Sequence, residues 1–209
     1  MSQLHHSPAK LFAVIPAAGR SRRMGRPKLL LPLGKQTVIA RVLEVLNRPE
    51  IAETFVVTRN DDTDLNAEIQ QTQATVLSPA TAPPEMRDSV EFALQEIEQK
   101  HRPAETDGWI LIPADHPLLC PDLLEKLFRA WQTFQPEILN PTHAGKRGHP
   151  TIFRWSLVSE VFQIPADQGL NRLVRDHSSQ VFELEVPGSE ILLDLDTPED
   201  SEKLLGRNQ

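Results

Sequence analysis

The chain predicts an α/β fold built on a central, mostly parallel mixed sheet, and two observations carry this. Short apolar runs alternate with segments of helical periodicity through residue 134, the pattern of βαβ units with right-handed crossovers. The 209 residues suffice for one α/β domain, or two small ones at most. That length buries roughly 70% of the surface the unfolded chain exposes. A single domain over 1–209 is expected, with residues 1–9 as a flexible tail.

"LFAVIPA" (11–17) reads as a buried strand. "TVIARVLEVLNR" (37–48) has helical spacing at Val38, Val42, Val45 and Leu46. "TFVVTR" (54–59) is the next strand, "DDTDLNAEIQQ" (61–71) a polar helix, and "ATVLS" (74–78) a third strand. "SVEFALQEIEQK" (89–100) is helical, with Val90, Ala93, Leu94 and Ile97 on one face. "GWILIPAD" (108–115) is a strand ending in a carboxylate, and "CPDLLEKLFRAWQTF" (120–134) a helix with proline in its first turn. Farther on, "PEILNPT" (136–142) and "HPTIFR" (149–154) read as strands, and "SLVSEVFQI" and "QGLNRLVRDH" as helices. "VFELEV" and "ILLDLD" are expected to pair as strands, and "TPEDSEKLL" to close the chain as a helix capped by Thr197.

Composition narrows the function. The 18 prolines exceed the usual share of about 5%. Scattered among turns, they suggest a loop-rich enzyme. Cys120 is the lone cysteine, so no intramolecular disulfide forms and a reducing compartment is expected. The polar start and the lack of a long apolar run predict a cytoplasmic protein with no membrane partner. A net charge of −7 argues against nucleic acid as a partner.

Against that acidic balance, Arg20, Arg22, Arg23, Arg26 and Lys28 crowd into one glycine-punctuated loop directly after the first strand. Ligands of open α/β sheets sit outside the carboxyl ends of the strands. Glycines 19 and 25 let backbone approach a ligand, successive N–H groups can form an anion nest, and Arg and Lys add charge-assisted bonds to phosphate. The loop suits a polyphosphate, although a basic surface loop is the bland alternative. It is neither a Walker A loop nor G-x-G-x-x-G.

"PAAGRSRRMGRPKLLLPLG" closely resembles the signature of the MobA-like nucleotidyltransferases, L-A-A-G-x-S-x-R-M-G-x-x-K-x-L-L, and most of all the molybdenum cofactor cytidylyltransferase branch. Ala17, Ala18, Gly19, Ser21, Arg23, Met24, Gly25 and Lys28 match; Pro16 departs from the usual leucine. The resemblance implies a Rossmann-like three-layer nucleotidyltransferase fold and an EC 2.7.7-type reaction. It assigns the loop residues Ala17, Ala18, Gly19, Ser21 and Gly25 to nucleotide binding, and Arg23 and Lys28 to phosphate contacts in catalysis.

"IPADHPLL" matches the family's strand followed by Asp-x-Pro. Asp115 at a strand's carboxyl end is a candidate ligand for Mg²⁺ or Mn²⁺, which one carboxylate holds together with phosphate oxygens and water. Alternatively, Asp115 caps the following helix, and His116 reads as a surface histidine. "LLDLDTPED" resembles the closing D-x-D-T-P-E-D, and the resemblance implies Asp196 as the second metal ligand, with Asp194 its neighbour; alternatively, Asp and Thr before Pro-Glu-Asp only start a helix. "GKRGHPTIF" resembles G-x-x-G-H-P-x-x-F, where His149 either binds the acceptor or holds the loop. In "DQGLNRLVRDH", similar to D-x-G-x-R-x-L-L, Arg172 either touches the acceptor or pairs with Asp176.

"PPEMRDSVEFAL" departs most from the family, which has G-M-S-x-S-L-R-x-G here. Met86 and Ser89 align, Glu91 falls where arginine is common, and Arg87 is new. A cation at a helix N-terminus opposes the dipole, so Arg87 is expected beside a bound anion, in one crevice with Gly19 and Asp115, with a surface role at the helix start as the alternative; Ser89 is the other nucleotide contact of this segment. The Ala-Ala-Gly run favours CTP over GTP by resemblance. The implied substrates are an NTP and a phosphorylated small-molecule acceptor, molybdopterin first and a sugar or polyol phosphate second. A further reading is a catalytically weak molybdenum-cofactor chaperone, with a molybdoenzyme or its chaperone as protein partner.

Overall fold

The computed structural model describes residues 9–21, 27–193 and 195. β1 (Leu11–Pro16) is apolar throughout and buried on both faces, as a central parallel strand requires. A short hairpin, β2 (Pro32–Leu33) and β3 (Gln36–Thr37), leads into α1 (Val38–Leu46). Thr37 caps α1 by accepting the Ala40 N–H on Oγ1 at 3.2 Å. There follow β4 (Ile51–Val57), α2 (Thr63–Ile69), β5 (Thr75–Leu77), α3 (Met86–His101), β6 (Gly108–Leu111) and α4 (Pro121–Phe134). The rest comprises β7 (Ile138–His143), β8 (Lys146–Arg147), β9 (Thr151–Arg154), α5 (Val158–Val161), α6 (Asn171–Asp176) and β10 (Val181–Glu185).

The main sheet runs β10-β7-β9-β6-β1-β4-β5, with β8 on β7. β1 is parallel to β4 and β6, β4 to β5, and β10 to β7; β9 is antiparallel to both its neighbours. The expected mostly parallel mixed sheet is therefore present. β1 also divides the core into the two flanking layers. Leu11, Ala13 and Ile15 face a cluster with α1, α2 and α4; Phe12 and Val14 face another with α3, α5 and α6.

This arrangement fixes where a ligand fits. From β1 the chain crosses over α1 to β4; from β5 it crosses the opposite face over α3 to β6, on the far side of β1. Strand order thus reverses between β1 and β6, and a crevice opens at their carboxyl ends.

Several boundaries differ from expectation for identifiable reasons. α3 starts at Met86, because Glu85 and Asp88 form a reciprocal capping box there. β6 stops at Leu111; Ile112 still donates to the Val14 carbonyl at 3.1 Å, but Pro113 has no N–H to continue the ladder. The expected pairing of "VFELEV" with "ILLDLD" does not occur among the described residues. β10 pairs with β7, while residues Ser189–Leu192 form a 3₁₀ turn. The Ile191 carbonyl instead accepts the His149 N–H at 2.9 Å. The expected helix from Thr197 lies outside the described residues. Among the described residues no helix is long and apolar enough to cross a membrane.

Candidate active site

The loop after β1 stays in the ladder for one residue more, as the Ala17 N–H donates to the Val57 carbonyl at 2.7 Å. The Ala18 and Gly19 carbonyls then leave the sheet. Ser21 adopts φ +47° and accepts the Lys28 N–H on Oγ at 3.3 Å, which draws together the two ends of the basic loop. Lys28 opens a 3₁₀ turn, Lys28–Leu30, that is rooted in the core by Leu29. Its Nζ forms an ion pair with Asp115 Oδ2, both side chains being 18% exposed. Asp115 follows the end of β6 and does not cap α4, whose N-cap is Cys120. Two loops 87 residues apart in sequence thus meet at the switch point through opposite charges.

Around this pair lies a crevice of about 340 Å³, within the range of small-ligand sites. Ala17, Ala18, Gly19, Ser21 and Lys28 line one side, and Pro113, Ala114 and Asp115 the floor. Pro83, Pro84, Glu85, Met86 and Ser89 line the other side. Of the expected nucleotide contacts, Ala17, Ala18, Gly19, Ser21 and Ser89 are brought together. Arg23, Gly25 and Asp196, like Arg22, Arg26 and Asp194, lie outside the described residues. A Cβ built on Gly19 would meet nothing within 4 Å, so the protein itself leaves room there.

Arg87 corrects the sequence reading. It does not line the crevice. Its Nη1 donates to the carbonyls of Ile164 (3.2 Å), Pro165 (2.7 Å) and Gln168 (3.2 Å). Its guanidinium also pairs with Asp88 and Glu91, at 3.4 and 3.0 Å. Those two carboxylates and three carbonyls offset the cation's conflict with the helix dipole, so no bound phosphate is needed to explain it. Burial pushes the Glu91 carboxyl above its ordinary range, although the Arg87 charge pulls the other way.

The acceptor candidates separate. Arg172 takes its alternative role: Nε pairs with Asp176 at 2.5 Å and Nη1 donates to Gln168 Oε1 at 3.2 Å, away from the crevice lining. His149 packs edge-on against His116, with ring centroids 5.6 Å apart at 84°. His116 is therefore no surface residue. It is 3% exposed, because the turn after Asp115 folds inward with the His116 N–H donating to the Pro113 carbonyl. Gly148 is required by close approach, since a Cβ there would sit 2.3 Å from the Ile191 oxygen.

One residue of the site escaped the sequence reading. Arg59, just beyond β4, donates from Nη1 to the carbonyls of Ala18 and Gly19, both at 3.1 Å. The signal was available: a cation directly after a parallel strand lies at the same carboxyl edge that drew notice to Asp115.

A family model described as the MobA-like NTP transferase domain matches residues 13–181. The molybdenum cofactor cytidylyltransferase of Escherichia coli (strain K12) is 26% identical over 90% of this chain and 91% of its own length. Purine catabolism protein PucB of Bacillus subtilis (strain 168) is 30% identical over 91% of this chain and 93% of its own. The 2-C-methyl-D-erythritol 4-phosphate cytidylyltransferase of Shewanella piezotolerans is 33% identical over 63% of this chain; the match spans 55% of that relative, about half its length. Among solved structures, Rv0371c of Mycobacterium tuberculosis H37Rv superposes with a TM-score of 0.77 at 27% identity, covering 96% of this chain and all of that one. The same protein has also been crystallised in complex with manganese. A match running from β1 to the first residue of β10 places the chain in the MobA-like NTP transferase family.

Proposed function

We propose that the protein transfers CMP from CTP to a phosphate of molybdopterin and releases pyrophosphate. The observation that carries this reading is the meeting of Lys28 and Asp115 in the crevice between β1 and β6. An acceptor phosphate oxygen attacks the α-phosphorus in line, a new P–O bond forms, and the bond to the bridging oxygen breaks. The bonding pair leaves with pyrophosphate. The acceptor phosphate is ionised near neutral pH, so the chain needs no nucleophile or general base of its own. Its work is positioning and charge stabilisation. Lys28 shares its ammonium between Asp115 and the phosphates, and the loop from Ala17 to Ser21 orients the triphosphate. Ser89, opposite, contacts the nucleoside, and His149, packed on His116 outside the crevice lining, binds the acceptor.

The donor set fits a divalent cation. Asp115 offers hard carboxylate oxygens at the floor of the crevice. That suits Mg²⁺ or Mn²⁺ held by one or two carboxylates plus phosphate oxygens and water, with Asp196 as the second carboxylate. Bound there, the cation supplies charge stabilisation to the phosphates.

Polyol phosphate is the second acceptor reading, favoured by the 33% identity to the methylerythritol phosphate enzyme. Pyrophosphate release measured with four NTPs against molybdopterin, a polyol phosphate and a sugar phosphate separates these readings. CTP with molybdopterin should give the fastest turnover. Faster turnover with a polyol phosphate would establish the second reading. Binding of molybdopterin without any pyrophosphate release would point to a cofactor carrier instead.

A further inference from the structure

We propose that Arg59 is a positioning residue, which turns two peptide groups of the loop after β1 so that their N–H groups serve the nucleotide's phosphates. The inference rests on the nucleotidyl-transfer reading above and adds a residue to it.

Ala18 and Gly19 lie beyond the last ladder bond of β1, so the sheet does not orient their peptides. Arg59 does: one Nη1 donates to both carbonyls. In a planar trans peptide the N–H points opposite to the C=O. With the carbonyls of Ala18 and Gly19 turned to Arg59, the N–H groups of Gly19 and Arg20 must point away from it. Two consecutive N–H groups with one heading make the concavity that binds anions, and Ala18 and Gly19 both line the crevice.

The guanidinium is itself held on every side. Nε pairs with Asp61 at 3.0 Å and Nη2 with Asp62 at 2.9 Å, leaving the side chain 13% exposed. The backbone beneath is fixed as well. Asn66 Nδ2 donates to the Arg59 carbonyl at 3.2 Å, and the Thr58 hydroxyl donates to Asn66 Oδ1 at 2.6 Å. The Thr58 N–H continues the sheet to the Leu77 carbonyl at 2.9 Å. A cation placed only to add charge would not carry two carboxylates that cancel it. A cation placed to aim a loop needs such a frame.

Charge and aim make opposite predictions. The test is calorimetric titration of CTP and of inorganic tripolyphosphate into wild type, Arg59→Ala, Arg59→Lys and Asp62→Ala, with CTP kinetics alongside. Arg59→Ala should weaken both ligands roughly tenfold, raising KM for CTP far more than it lowers kcat and leaving KM for the acceptor unchanged. Arg59→Lys should restore part of the affinity. Asp62→Ala makes the edge more positive, yet should weaken tripolyphosphate about threefold, because the fork loses its hold. Tighter binding by Asp62→Ala, or unchanged affinity in Arg59→Ala beside a wild type that binds both ligands, would overturn the proposal alone. A wild type that binds neither CTP nor tripolyphosphate would overturn the functional reading, and this inference with it.

Discussion

Two arginines, one on each side of the crevice, are used in the same way. Arg59 and Arg87 are 13% and 14% exposed, each is flanked by two carboxylates, and each donates to backbone carbonyls. Arg59 holds the loop that carries Gly19, and Arg87 holds the segment from Ile164 to Gln168 against the start of α3. Neither faces the ligand as its sequence context suggests a cation should. A half-buried arginine with neighbouring acids is satisfied by the protein itself, so its effect on a ligand passes through the loop it holds. Lys28 differs. Asp115, with which it forms an ion pair, lies inside the crevice with it.

The comparison breaks most sharply on that pair. Asp115→Ala should cut turnover by roughly 10³ while the protein still folds, since the carboxylate stands beyond a strand end and not in the core. Full turnover in the variant, measured as pyrophosphate release, would remove Asp115 from the chemistry. Lys28→Ala should lower kcat/KM by roughly 10²–10³, the scale for losing one preorganised charge. A loss no greater than that of Arg87→Ala would show that Lys28 is one more loop-holding cation.

Gly19→Ala sharpens the contrast between what the fold needs and what the ligand needs. The added methyl meets no protein atom within 4 Å, so the melting temperature should stay unchanged. Nucleotide affinity should fall roughly tenfold if the backbone is approached closely by phosphate. A matching fall in melting temperature would move Gly19 from the ligand's side to the fold's. Arg87→Ala should do the reverse. Its loss removes one donor from three carbonyls and two carboxylates, of which Asp88 keeps the Glu85 N–H and the Pro165 carbonyl the Gln168 N–H, and costs about 1–3 kcal/mol of stability. Nucleotide Kd should move by less than about twofold. Hydrogen exchange should rise across 164–170 first. A tenfold loss of nucleotide affinity with 164–170 still protected would return Arg87 to the crevice.

The first half of the chain was legible because its signals are local. Apolar runs such as 11–16 are long enough for buried strands, and α1 and α4 repeat their apolar residues at helical spacing. Asp115 and Lys28 were found by the strand-edge rule together with a long motif. The second half depends on contacts that no local pattern encodes. β9 inserts antiparallel between β6 and β7, and the short segment after β10 bonds to His149 instead of forming a strand. His116 looked like a surface residue because nothing in its neighbours announces the His149 ring that packs on it. Arg87 was misread for the same kind of reason, since its carbonyl partners come from residues 77 to 81 positions later.

The smallest effect belongs to a site distant in role from the crevice, and it tests whether the segment that Arg87 holds has a second anchor. His177, next to α6, hydrogen-bonds Gln180 at 2.9 Å and Glu160, in α5, at 2.8 Å. The Gln180 bond first, and then the Glu160 carboxylate, raise the imidazole above its ordinary value of 6.5. A raised folded-state value means that the protonated form is favoured by folding. The contribution is therefore complete below the unfolded value and fades as pH rises through the folded one. Glu160 is 44% exposed, so solvent screening keeps the pair below about 1 kcal/mol. Urea unfolding of wild type and His177→Ala should differ most near pH 5.5 and converge by about pH 8.5. Because the pair ties α6 to α5 on either side of residues 164–168, Arg87→Ala should enlarge that pH-dependent gap. A gap that stays constant from acid to alkaline pH, or one that Arg87→Ala leaves unaltered, would show that the arginine alone holds this side of the crevice.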